Sequence, residues 1–320
     1  MSRHLTDPSL PRARGMLSAG VIDHLRNGGT LPDPDAARTA EPYGDDLQLA
    51  LYICYELHYR GFAGVRPELE WDPPLLAVRA ALEDRFLAAL RRDATGTAGL
   101  DEILDGLLLE PVRGTGLSWF LQDQGELRHL RDYAVQRSLY HLKEADPHAW
   151  VLPRLRGRAK AGMAAIEYDE FGAGHPDRVH AQLFADLMTD LGLDTTYGRY
   201  LDEGCAQMLA LVNQMSLFGL HRRLRGALVG HFAAVEITSS PASRRLAQAM
   251  KRTGAGPAAE FFYTEHVEAD AVHEQVVRRD VIGGLLEDEP ELAADIAFGI
   301  TATSFLEDRL EDRLLAGWRA

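Results

Sequence analysis

The sequence predicts an all-α protein, and three observations predict it. Apolar residues recur at the three- and four-residue spacing of a helix face from residue 45 almost to the end. Runs of alternating β-branched residues are absent, and the breaks between periodic stretches carry Pro or Gly. Residues 1–12 are polar and contain Pro8 and Pro11, which marks a disordered lead-in. Residues 14–27 fit a short helix, and Gly28, Gly29, Pro32, Pro34 and Pro42 make 28–44 a loop. Helices are then expected over 45–60, 75–93, 98–109, 117–144, 148–171, 177–191, 200–220, 222–238, 241–253, 259–285 and 289–317. Pro147, Pro176, Pro241 and Pro290 each follow a break and suit the first turn of the next helix, where the missing N–H costs little. There is no internal repeat and no dividing linker. We therefore expect one helical domain over 45–320, preceded over 1–44 by the lead-in and a short helical arm.

Charge limits the partners. Asp plus Glu number 48 against 34 Lys plus Arg, a formal charge of -14. Binding a phosphate backbone or an anionic bilayer needs local positive charge, so neither nucleic acid nor membrane is an expected partner. No run approaches the ~18 apolar residues that cross a bilayer, and the N-terminus lacks a secretory pattern, so a cytoplasmic location is expected. Two cysteines, Cys54 and Cys205, are too few for a disulfide framework or a thiolate zinc site. The apolar segment 47–54 has two possible covers, the core or a second chain, which leaves a homodimer open.

The strongest chemical signal is His266-Val-Glu-Ala-Asp270-Ala-Val-His273. On a helix His266, Asp270 and His273 fall within about 60° of one another, forming one stripe of metal-binding groups. Its bland alternative is a structural or exposed histidine pair. Glu265, Glu268 and Glu274 lie off that stripe and read as solvated. Glu236 stands in an otherwise apolar segment and is the only acid between Glu203 and Glu260, where composition would place about eight. Such a carboxylate must be neutral, paired or metal-bound. An ion pair with Arg222, Arg223 or Arg225 is the competing explanation. Glu170 and His180 bracket the break Phe171-Gly-Ala-Gly-His-Pro176, whose glycines allow both side chains to turn to one point. His175 and Glu167 are rival ligands there. Glu144 ends a helix beside Lys143 and by itself reads as a surface charge. Three imidazoles and three carboxylates suit two adjacent iron or manganese ions better than one zinc.

In order, Glu170, His180, Glu236 and His266-x3-Asp270-x2-His273 resemble the ligand pattern of the haem-oxygenase-like diiron oxidases and oxygenases, and most closely their N-oxygenating branch. The resemblance spans roughly residues 117–285 and implies a haem-oxygenase-like helical bundle. It adds Glu144, which stands where that branch carries an extra carboxylate, as a seventh ligand with a catalytic part. It further implies two Fe(II)/Fe(III) ions, O2 as co-substrate, an external electron donor and a small-molecule amine substrate. The expected reaction is N-oxygenation through a peroxo-diferric intermediate, in specialised metabolism.

Three other readings stay open at this stage. Relatives also cleave C–C bonds of fatty acids or amino acids, which a long apolar tunnel would favour over a short polar pocket. Thiaminase-type hydrolases share the architecture and use a cysteine, for which Cys205 near a helix start is the candidate. A non-catalytic metal-binding helical protein is the plainest alternative. The two Glu-x-x-His repeats of ferritin-like proteins are not both present, since Glu126-Leu-Arg-His129 stands alone.

Overall fold

In this computed structural model, residues 7–96, 98–111 and 113–319 are described, and residues 1–6 of the expected lead-in lie outside them. The helices are α1 Met16–Asn27, α2 Pro34–Thr39, α3 Asp45–Glu56, α4 Pro73–Asp93, α5 Leu100–Leu107, α6 Leu117–Asp123, α7 Leu127–His141, α8 Asp146–Ala149, α9 Gly157–Glu170, α10 His180–Asp190, α11 Ala206–Leu220, α12 Arg225–Thr253, α13 Pro257–Val276, α14 Gly283–Asp288 and α15 Ala293–Arg319. Among the described residues there is no strand. The protein is the all-α helical bundle that the sequence predicts.

The long helix α12 is the hub, packed along α13 on one side and α15 on the other. Glycine makes the second contact close. A Cβ on Gly230 would meet the Ile296 carbonyl oxygen at 2.0 Å, and one on Gly299 would meet that of Ala227 at 2.0 Å. No side chain fits at either position. Helix α10 packs on α13, α9 on the segment after α13, and α3 on α11, so the N-terminal helices cover the far side of the core.

Several boundaries differ from the sequence expectation, each for a local reason. Part of the expected 28–44 loop is α2, capped by Asp33, whose carboxylate accepts from the Asp35 N–H at 2.9 Å. The segment 7–12 has no regular structure but is held: Ala63 N–H donates to Pro8 O at 2.8 Å, and Arg12 N–H to Asp202 at 2.8 Å. The expected 117–144 helix divides at Gly125 and stops at His141. Residues 150–156 form a turn and a single 3-10 turn, 200–205 are turns rather than helix, and Pro176 lies in a turn before α10. The break expected at Pro241 does not occur, because α12 runs through it. Ser239 and Ser240, just before the proline, donate their hydroxyls to α13 instead, to Asp270 at 2.6 Å and to the Val267 carbonyl at 3.3 Å. Cross-helix packing thus overrides a local helix breaker. Beyond His273 the chain widens into a π-helical turn, Val277–Ile282.

Candidate metal centre

Two features of the backbone aim the ligating groups. Gly172 has φ +78°, and a Cβ there would strike the Val179 backbone nitrogen at 2.7 Å. This tight reversal brings Glu170, the last residue of α9, against His180, the first of α10. After α7 the chain turns at Ala145, a non-glycine residue at φ 73°, immediately following Glu144. Such a conformation stores on the order of 1–3 kcal/mol and holds only where the surroundings impose it.

The seven candidates converge. Glu144, His180 and His266 form one buried group, and Glu170, Glu236 and His273 form another; within each, ligand atoms lie within 4.8 Å of one another. The groups adjoin, since His180 Nδ1 is 2.7 Å from Glu170 Oε2 and the His180 and His266 rings are 4.5 Å apart. Asp270 belongs to neither group but sits beside the second, its Oδ1 3.8 Å from His273 Nδ1. His266 donates Nδ1–H to the Phe262 carbonyl at 2.7 Å, which leaves the Nε2 lone pair facing Glu144 Oε1 at 3.8 Å. His273 presents Nδ1 to Glu236 Oε2 at 3.1 Å, with Nε2 3.4 Å from Asp169.

The electrostatics are those of a site built around positive charge. Burial pushes Glu236 up to about 7 and Asp270 up to about 6, with neighbouring carboxylates adding to each. Burial opposes charge on His266 and His273, yet the facing carboxylates raise them to about 10 and about 9. Burial also raises Glu144, but His141 and His266 outweigh it and hold that carboxyl well below its ordinary value. Protons thus stand where cations would.

Three facing atoms have no aligned hydrogen-bond partner among the described residues: Glu144 Oε2, His180 Nδ1, which lies 2.7 Å from Glu170 Oε2, and His266 Nε2, 3.8 Å from Glu144 Oε1. Orphaned buried polar atoms are rare and need an explanation. A carboxylate and two imidazoles are satisfied together by a transition-metal ion, so this donor set fits iron.

A model of the iron-containing redox enzyme family matches residues 131–308. The chain belongs to this family. It is also similar to the nitrosourea synthase of Streptomyces achromogenes subsp. streptozoticus, at 26% identity over 220 residues, which cover 66% of this chain and 46% of that protein. The chain therefore spans about half the length of that relative.

The rivals within this iron-containing redox enzyme fare differently. His175 is exposed in the turn before α10. Arg225 pairs with Glu289, not with Glu236. Burial raises the Cys205 thiol, opposite to the lowered value of an activated cysteine. Glu167 is buried with neither carboxylate oxygen partnered among the described residues, and burial, Glu170 and Glu236 push it up to about 9. Sequence reasoning missed the supporting residues. His141 bonds Glu144 Oε1 through Nδ1 at 2.8 Å, and Ser239 donates to Asp270. Only the i, i+3 spacing of His141 and Glu144 was visible beforehand.

Over the centre lies a cavity of about 430 Å³ with Glu144, Glu170, Glu236, His266 and Asp270 in its lining. Its walls mix charged and hydroxyl groups with apolar side chains such as Met215, Phe232, Leu246 and Phe262. Arg137, clamped to Glu307 at 2.9 and 2.6 Å, lies inside, and Arg245, paired with Glu110, also lines it. No helix among the described residues is long and apolar enough to cross a membrane.

Proposed function

We propose that this chain is a non-haem diiron oxygenase that N-oxygenates a small polar amine, using O2 and an external electron donor. Two Fe(II) ions held by Glu144, Glu170, His180, Glu236, His266, Asp270 and His273 would supply the electrons that activate O2. The observation that carries the reading is the pair of adjoining buried groups with three orphaned ligand atoms. His266 is held by the Phe262 carbonyl so that Nε2 points inward, and Ser239 restrains Asp270. His141 holds Glu144 at the cavity floor, where an extra carboxylate can balance charge as the amine meets the oxidant.

Cavity chemistry supports an amine over a fatty acid. Half-buried ion pairs, Arg137–Glu307 and Arg245–Glu110, and the hydroxyls of Ser239, Ser243, Thr303 and Ser304 interrupt its apolar wall, whereas an acyl chain of C–C cleavage substrates needs a continuous apolar tunnel. The likeness to nitrosourea synthase supports nitrogen as the oxidised atom.

The test is to load the protein anaerobically with Fe(II), count iron per chain, and mix with O2, a reductant and a panel of primary amines. Amine-dependent O2 consumption with an N-oxygenated product is expected. Glu144→Ala should lower that rate about tenfold or more while iron is still bound. Oxygen consumption indifferent to every amine would sink the N-oxygenase assignment, and fewer than two irons per chain would sink the dinuclear one.

A further inference from the structure

Behind the cavity wall lies a buried polar chain that the iron-binding groups do not use. His148 in α8 and His231 in α12 are 2% and 0% exposed, with their Nε2 atoms 3.1 Å apart. His231 Nδ1 is 2.8 Å from Thr303 Oγ1. That hydroxyl is also 2.8 Å from the Gly299 carbonyl oxygen and receives the Gln214 amide at 2.8 Å.

The proton positions follow from counting donors. Two oxygens 2.8 Å apart repel unless a proton lies between them, and the Gly299 carbonyl has none. The single Thr303 hydroxyl proton therefore points at Gly299, the usual bond of a helical threonine to the carbonyl four residues back. Thr303 can then only accept from His231, which must carry its proton on Nδ1. His231 Nε2 is left as an acceptor, so the proton between the two rings belongs to His148 Nε2. A neutral His148 consequently bears a lone pair on Nδ1. Burial keeps both rings neutral, lowering His231 to about 4 and His148 well below its ordinary value.

His148 lines the cavity above the metal centre, as does Thr303. Among the described residues the His148 ring makes one hydrogen bond, that of Nε2 to His231, while Phe232 and Tyr140 hold the ring at centroid distances of 5.0 and 6.0 Å. We propose that His148 is a substrate-binding residue whose Nδ1 accepts a hydrogen bond from an N–H group of the molecule in the cavity. This deepens the amine reading and rests on it for the identity of the substrate. The chain through His231, Thr303 and Gln214 locks the acceptor tautomer, so the site selects nitrogen compounds that carry N–H over fully alkylated ones.

The experiment uses the full chain loaded with Zn(II) as a diamagnetic substitute and labelled with 15N-histidine. His148→Asn assigns the His148 signals in a long-range 1H–15N correlation. The expected spectrum shows His148 Nδ1 without a proton and His231 Nδ1 with one. Propylammonium should shift the His148 Nδ1 resonance, whereas tetramethylammonium, which has no N–H, should not. His148→Phe should weaken propylammonium binding about tenfold, the loss of one buried hydrogen bond, with the zinc count unchanged. A protonated Nδ1, a response to neither cation, or an equal response to both would overturn the assignment. Failure of amine-dependent O2 consumption in the iron-loaded protein would instead remove the oxygenase reading and leave the His148 result standing.

Discussion

His180 Nδ1 and Glu170 Oε2 stand 2.7 Å apart, yet His180 Nδ1 has no aligned hydrogen-bond partner among the described residues. Held this close on helices joined by a glycine reversal, the two groups would share a bound cation. Without one, burial opposes charge on His180, but the Glu170 carboxylate outweighs it and raises the His180 pKa. The contact also links the two buried groups into one centre. His180→Ala should therefore reduce bound iron from two per chain to about one, read by elemental analysis after anaerobic loading. Full retention of both irons would show that His180 is no ligand.

Ser239 reaches Asp270 from the neighbouring helix with a 2.6 Å hydrogen bond. Removing such support to a ligand commonly costs about 10–100-fold in metal affinity. Ser239→Ala should weaken Fe(II) binding by about tenfold in a competition titration with a chelator, with little change in melting temperature.

Glu167 gives a pH prediction for the metal-free protein. Its folded value, about 9, lies above the ordinary 4.5. The stability tied to its neutral form is complete below about pH 4.5 and is lost as pH rises to about 9, because the unfolded chain ionises first. Thermal unfolding should show the melting temperature of the metal-free protein falling from pH 6 to pH 9. Glu167→Gln, which mimics the neutral carboxyl, should flatten that fall. Parallel curves for the two proteins would refute it.

Lys143 and Glu56 form an ion pair at 2.8 Å with both side chains 1% exposed, and Tyr197 donates to Glu56 at 2.7 Å. Breaking one partner of such a pair costs roughly 3–5 kcal/mol, because the other charge stays buried. Lys143→Met should lower stability by that order in chemical denaturation, and the double variant with Glu56→Gln should recover much of it. Iron binding should weaken alongside, since Lys143 precedes Glu144.

Legibility in the sequence depended on how far a residue's partners lie along the chain. His266, Asp270 and His273 share one helical stripe, so spacing alone grouped them. Glu236 stood out because acids are otherwise missing between Glu203 and Glu260. Glu144 was a surface charge by its neighbours and a ligand candidate only through the family pattern. His148 and His231 are 83 residues apart, and no local pattern announces their contact. The same limit explains Pro241, whose local breaking tendency said nothing of the α13 face that Ser239 and Ser240 bond.

The sequence by itself determined that the chain is helical, that acidic and imidazole groups recur inside apolar segments, and in what order they come. Those properties follow from periodicity and from the cost of burying charge, both of which act over a few residues. Tertiary structure alone decided that Gly230 and Gly299 let α12 and α15 touch, that Ala145 turns Glu144 inward, and that a histidine pair backs the cavity wall. These depend on how helices distant in the chain pack against one another, and packing is settled by the whole core at once.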